Sequence, residues 1–234
     1  MLNLTPLRIH QYIRRTNKGK TATSESLWPA IQQSKTYPRF LKIPLPDPVS
    51  TDTFVELLQK RRSRRRSDTS IYPTPQQLGT LFGLALREHK DHHRPYPSGG
   101  SFYPVECYLC TRLETDARPT LYHYQVKEHV LERLWELPLK LTTNDLFKAD
   151  IETEALAVII LTARWSRNTP KYSDFAYDLC LLEAGHIGQN LSLAAETANL
   201  HFCPIGGFRD EKITDVLELD PFDEQPIYTF TLSN

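Results

Sequence analysis

The sequence has little of several features that would settle its class at once. Its 28 basic and 28 acidic side chains cancel, so no excess charge of either sign draws the whole molecule onto nucleic acid. Only four cysteines occur, at positions 107, 110, 180 and 203, which is not the disulfide framework of a small secreted domain. Cys107 and Cys110 have CxxC spacing, but they fall in a strand-like run whose alternation points them to opposite faces. They are therefore expected to be buried thiols rather than a metal clip or redox pair. Long apolar runs are also missing. The longest aliphatic run, residues 155–161, is far too short to span a bilayer, and the first residues lack the apolar core of a signal peptide. A soluble, cytoplasmic protein with no membrane or nucleic-acid partner is expected. The phosphate-cradling patterns GxxxxGK[ST] and GxGxxG are absent, as is HExxH, which argues against a P-loop, a Rossmann dinucleotide domain and a zincin. His89, His92 and His93 have no recurring partners at ligand spacing, so no metal is expected.

What is present is an ordinary globular composition, 40% hydrophobic and 24% charged, over 234 residues, enough to bury a sizeable core. Residues 1–50 are polar and punctuated by Pro38, Pro44, Pro46 and Pro48, with mild helical character only over 7–15. They are expected to form an extended N-terminal arm, followed by one domain over 51–234. A helix should start at Thr53, where Glu56 completes a capping box, and run into the basic cluster at 61–66. A second should start at Thr74, with Pro75 at its first position and Gln77 as box partner. Strands are expected over 105–113, 120–124 and 155–163, the last apolar throughout and hence central in a sheet. A long helix over 175–197 would bury Leu179, Leu182, Ile187, Leu191 and Ala194, with Ala184, Gly185 and Gly188 allowing close packing. A short helix over 211–217 and a strand over 226–232 complete the chain. This order of elements favours α+β over a doubly wound fold.

Four segments could carry chemistry. Arg61, Arg62, Ser63, Arg64 and Arg65 offer guanidinium groups and a hydroxyl to one phosphate, the alternative being a solvated basic face. Pro97, Ser98, Gly99 and Gly100 free the backbone to approach a flat ligand, or simply make a tight loop into a strand. Lys171 and Tyr172, after the apolar strand, could act as a base pair of groups, or could be a loop lysine and a packing tyrosine. Pro204, Ile205, Gly206 and Gly207 offer a second close backbone approach.

In this order the segments resemble the nitroreductase superfamily, and within it the SagB-type or azoline-oxidase branch, which makes thiazoles and oxazoles in ribosomal peptides. The resemblance covers roughly residues 50–232. Residues 61–65 resemble the RRSxR that holds the FMN phosphate and ribityl chain, and residues 94–100 resemble the branch's RPYPSGG, whose Pro97, Ser98 and Gly99 would lie against the flavin. Lys171 and Tyr172 match the pair assigned as catalytic base, residues 183–191 match the long core helix, and Pro204, Ile205, Gly206 and Gly207 match a loop near the flavin ring. Two positions depart from the pattern. Ser67 stands where an aromatic is common, and the chain closes on Ser233 and Asn234 rather than glycine or a basic residue. The resemblance implies a mixed, mainly antiparallel sheet flanked by helices, a domain-crossing homodimer with FMN as cofactor, and a peptide or small-molecule substrate. It further implies a possible cyclodehydratase partner. The competing expectations are an NAD(P)H-dependent nitro or quinone reductase, and a flavin-fold scaffold for that partner.

Overall fold

The computed structural model describes residues 6–16, 53–64, 71–148 and 155–234. Arg65 and Ser67 lie outside them, as does most of the expected N-terminal arm. The start of that arm forms helix α1, Pro6–Thr16. Its His10 is buried against the rings of Trp165 and Tyr177, at centroid separations of 6.1 and 5.9 Å.

Helix α2 spans Thr53–Lys60, with Glu56 in its first turn and Lys60 in its last, the signs that suit the helix dipole. Helix α3, Pro75–Ala85, opens with the expected capping box. Thr74 Oγ1 accepts from the Gln77 N–H at 3.2 Å, and Gln77 Oε1 accepts from the Thr74 N–H at 3.0 Å. Two otherwise orphan donors are thereby satisfied.

Six strands follow: β1 Val105–Thr111, β2 Thr120–Gln125, β3 Val130–Glu136, β4 Ala157–Arg164, β5 His201–Ile205 and β6 Glu224–Ser233. They form one sheet in the order β3-β2-β1-β4-β6-β5. Every neighbouring pair is antiparallel, so the expected mixture of strand directions is absent among the described strands. Strand β4 is the apolar run read from the sequence. All of its residues but Arg164 are buried, and it lies between β1 and β6 as a strand covered on both faces must.

Between β4 and β5 the chain makes a one-turn helix, α4 Thr169–Tyr172, and the long helix α5, Ala176–Thr197; α6, Asp210–Val216, then precedes β6. Helices α3 and α5 cover one sheet face with Leu81, Phe82, Ile187 and Leu191, against Cys107, Ile159 and Leu161. The other face carries Cys110, Val158 and Ile160 under Phe147, Phe208 and Ile213. Cys107 and Cys110 thus part to opposite faces, and all four cysteines are free and buried. Burial also pushes the Cys107 and Cys180 thiols up, the latter to about 12, as expected of inert thiols. Gly188 lets α5 approach β6, because a Cβ there would stand 3.1 Å from the Phe230 ring. Gly185 faces open space instead, and Leu182, expected in the buried face, is 59% exposed. The buried stripe runs through Cys180, Glu183, Ala184, Ile187 and Leu191, so an acid occupies a position where the sequence pattern placed leucine.

Candidate functional site

Strand β5 and the first residues after α2 form one group. The Arg64 N–H donates to the Phe202 carbonyl at 3.0 Å, so the arginine segment runs along the free edge of β5. It is held at the C-terminal end of α5. The Arg62 N–H reaches Glu196 Oε1 at 3.4 Å, and Arg64 Nη2 lies 3.7 Å from Glu196 Oε2. The Arg62 guanidinium turns back onto its own helix end, donating to the Gln59 and Arg61 carbonyls at 2.9 Å each. Arg61 is half-buried, while Arg62 and Ser63 are exposed. Pro204 and Ile205, expected in a loop, are the last residues of β5, opposite Phe230 and Thr229. Proline is tolerated there because it lies on an edge strand. Only Gly206 and Gly207 are loop residues; both are exposed, and an added Cβ on either would meet nothing within 4 Å.

A second group forms at the other end of α5. Residues 94–104 fold over it from Leu179 to Asn190. Asn190 Nδ2 donates to the Pro95 carbonyl at 2.7 Å, and Tyr96 is buried beneath. A Cβ on Gly99 would stand 3.1 Å from Leu179 Cδ1. Gly100 has φ +65°, and a Cβ there would stand 2.7 Å from the Tyr172 hydroxyl. This glycine is required twice over, by its left-handed backbone and by the closeness of Tyr172. Ser101 and Tyr103 also have positive φ, 58° and 48°, as does Ser173 at 49°, directly after Tyr172. Strained backbone of this kind concentrates at functional sites. Tyr172 meets Phe102 edge-on at 6.0 Å, and Lys171 Nζ lies 5.5 Å from the Phe102 centroid and 5.0 Å from that of Tyr172. The glycine loop and the Lys171-Tyr172 pair, more than 70 residues apart in sequence, therefore form one surface.

Their anchors are spread along α5: Leu179, under the loop, and Glu196, beside the arginines, lie about 25 Å apart at a rise of 1.5 Å per residue, whereas Asn190, which holds the Pro95 carbonyl, lies about 9 Å from Glu196.

Beneath the second group, the candidate Ser98 is joined by three side chains that were not candidates, Arg167, Glu106 and Glu183. Ser98 Oγ accepts from the Tyr103 N–H at 3.0 Å, closing the loop on itself. Arg167 donates to the Tyr103 carbonyl at 2.8 Å and pairs with Glu106. Burial alone would raise the Glu106 carboxyl, but hydrogen bonding to His123 and the Arg167 charge hold it below its usual value. Glu183, 2% exposed, accepts from the Val105 N–H at 3.4 Å and is hydrogen-bonded to Ser98. Burial pushes its pKa up to about 7 against those hydrogen bonds and the charges of Arg94 and Arg167. The sequence signal for Glu183 was its four-residue spacing from Leu179 and Ile187, an acid in an apolar stripe.

Two further clefts are present. One, of ≈ 280 Å³, sits on the opposite sheet face between Glu106, His123 and Trp135. The other, of ≈ 240 Å³, lies between His10, Asp210 and Gln225. Among the described residues, no group of histidine, cysteine, aspartate and glutamate could hold a metal ion, and no helix is long and apolar enough to cross a membrane.

The fold is similar to that of several solved structures. A chain of the Escherichia coli microcin synthetase McbBCD complex, bound to truncated pro-MccB17, superposes with a TM-score of 0.73 at 17% identity, over 98% of this chain and 92% of that one. A nitroreductase-type protein in complex with FMN from Desulfovibrio desulfuricans superposes at 0.51 with 16% identity, over 78% and 86%. In sequence, the Methanocaldococcus jannaschii protein MJ1384, which carries the nitroreductase name, is 26% identical over 186 residues, 78% of this chain and 92% of that protein. The Escherichia coli microcin B17-processing protein McbC is 27% identical over 140 residues, 57% of this chain and about half (52%) of that protein. The profile of the nitroreductase family matches residues 58–232, and the chain belongs to that family of oxidoreductases.

Proposed function

We propose that this oxidoreductase is an FMN-dependent dehydrogenase of the SagB or azoline-oxidase type, converting azoline rings of a ribosomal peptide to azoles. The observation that carries the reading is the single surface formed by Lys171, Tyr172 and the glycine loop, with Gly100 pressed against the Tyr172 hydroxyl. The similarity to a protein named for microcin B17 processing supports a role in processing such a product.

The residues present fit FMN. Arg61 and Arg62, with Ser63, offer donors of the kind a phosphate needs. Gly206 and Gly207, beside Pro204 and Ile205, leave open surface for a flat ring to approach. Pro97, Ser98 and Gly99 would cover that ring from the other group. Bound FMN supplies the acceptor for a hydride, the one property the side chains lack. Aromatisation also releases a proton, and Lys171 Nζ takes it while the Tyr172 hydroxyl orients the ring. The Phe102 and Tyr172 rings lie 5.5 and 5.0 Å from the amine.

In a homodimer the arginine group of one chain can face the loop group of its partner, placing each site across the interface. A cyclodehydratase that makes the azoline is the natural further partner.

The test is spectroscopic and then catalytic. The purified protein should show flavin absorbance, and an azoline peptide should lose two hydrogens by mass with FMN and oxygen present. Consumption of NAD(P)H with a quinone, and no change in the azoline peptide, would select a nitro or quinone reductase. A colourless protein that takes up no FMN would leave only a scaffold role.

A further inference from the structure

Glu183 is a buried carboxyl that the proposed chemistry does not use. It lies in the middle of α5, under the turn that joins the glycine loop to β1. It touches that turn at both ends, through the Ser98 hydroxyl at the start and the Val105 N–H at the finish. The turn between those ends holds the left-handed residues Gly100, Ser101 and Tyr103. The cations nearby are engaged elsewhere. Arg167 pairs with Glu106 and donates to the Tyr103 carbonyl. Arg94 donates to the Tyr96 hydroxyl at 3.0 Å, lies 3.9 Å from Glu88, and stacks over the Tyr103 ring at 4.4 Å. The other titratable groups around Glu183 are Tyr96 in the loop and Cys180 on its own helix, neither of which supplies positive charge. A buried carboxylate without a dedicated cation costs free energy, whereas a buried neutral acid needs only its hydrogen bonds.

The turn offers the carboxyl two neutral donors, the Val105 N–H and the Ser98 hydroxyl, whose oxygen in turn accepts the Tyr103 N–H, and neither carries a charge to offset that of an ionised carboxylate.

We propose that Glu183 is a positioning residue acting as a proton-gated latch: neutral, it closes residues 97–103 over α5, and on losing its proton it lets the turn open to water. Opening hydrates the carboxylate, so the open turn is the form that binds the proton less tightly, and rising pH must favour it. The direction agrees with the burial-raised pKa near 7 of the closed form. The consequence for a bound flavin rests on the proposed function, since Pro97, Ser98 and Gly99 are the loop that would cover it; the latch itself does not.

The test compares the wild-type protein with Glu183→Gln, which keeps the size and the acceptor for Val105 but cannot ionise. Hydrogen–deuterium exchange of the flavin-free protein, corrected for intrinsic rates, should show residues 97–103 losing protection at least about tenfold between about pH 6 and about pH 8.5 in the wild type. In Glu183→Gln, protection should be the same at both pH values. FMN titration should follow the same pattern, weaker at the higher pH in the wild type and flat in the variant. Equal wild-type protection at both pH values, or a variant that still loses protection as pH rises, would overturn the latch. Exchange behaving as expected in a protein that binds no FMN at either pH would leave the latch standing and remove the flavin reading. The wild-type pH series also stands by itself should the variant fold poorly.

Discussion

Lys171 sits on a single helical turn, with the Phe102 and Tyr172 rings near its amine and a strained Ser173 after Tyr172. None of these contacts bears on the arginine group, so Lys171→Ala should leave FMN affinity unchanged while azoline turnover falls by about 10²-fold or more, the worth of a general base. Flavin retention in the inactive variant, read by absorbance, separates this outcome from unfolding. Glu183 makes a prediction about stability with the opposite sign to that of an ordinary carboxylate. Its folded pKa, about 7, exceeds the usual 4.5, so the native state holds the proton more tightly than the unfolded one. Stability therefore falls as pH rises from about 4.5 through about 7, and above that window the buried charge costs roughly 1–3 kcal/mol. Glu183→Gln should melt above the wild type at pH 8 and lose that advantage towards pH 5. The side chain would then be retained at a cost in stability, as functional positions often are. At this scale the sequence showed the chemistry-bearing residues but not their company. Lys171 was legible as a candidate, whereas the role of Glu183 needed the Ser98 turn folded over it.

The elements were legible where local chemistry sets their ends. Thr74, Pro75 and Gln77 mark the start of α3 in the sequence, and the structure carries the same bonds. Thr74→Ala removes the cap and should lower the unfolding free energy by about 1 kcal/mol, measured in urea, with no change in FMN binding. Strand β4 was legible for another reason, because only a strand buried on both faces accepts an uninterrupted aliphatic run. Strands β3 and β5 were not. In β3, Glu132, Arg133 and Glu136 interrupt the alternation, since a sheet-edge strand with much of its surface in water has little need of it. In β5, Pro204 suggests a loop, and only the pairing with β6 shows that an edge position tolerates it. The register of α5 was misjudged by one leucine. Leu182 faces outward and Glu183 inward, a choice made by the packing of 94–104 rather than by hydrophobicity.

For the whole molecule, the proposed dimer has a direct test, because the two groups can be damaged separately. Lys171→Ala damages the loop group, and Arg61→Ala with Arg62→Ala damages the arginine group. Chains carrying one defect or the other, mixed at random as dimers, should recover up to about a quarter of wild-type turnover, because each mixed dimer owns one intact site across its interface. Sites contained within single chains would recover none. Phe175 and Leu182, both more than half exposed near the N-terminal half of α5, are suited to such an interface. What the sequence determined by itself was the α+β class, the central apolar strand, the long helix and the four chemical segments, because each rests on local periodicity, capping or a short motif. Only the tertiary structure decided which segments share a surface. Lys171 and Tyr172 reach the glycine loop because β1 pairs with β4 and α5 packs beneath both connections, while the arginines are carried to the far end of the same helix. Contacts of that kind depend on long-range pairing and on which face of α5 is buried, and neither is written in the spacing of any one segment.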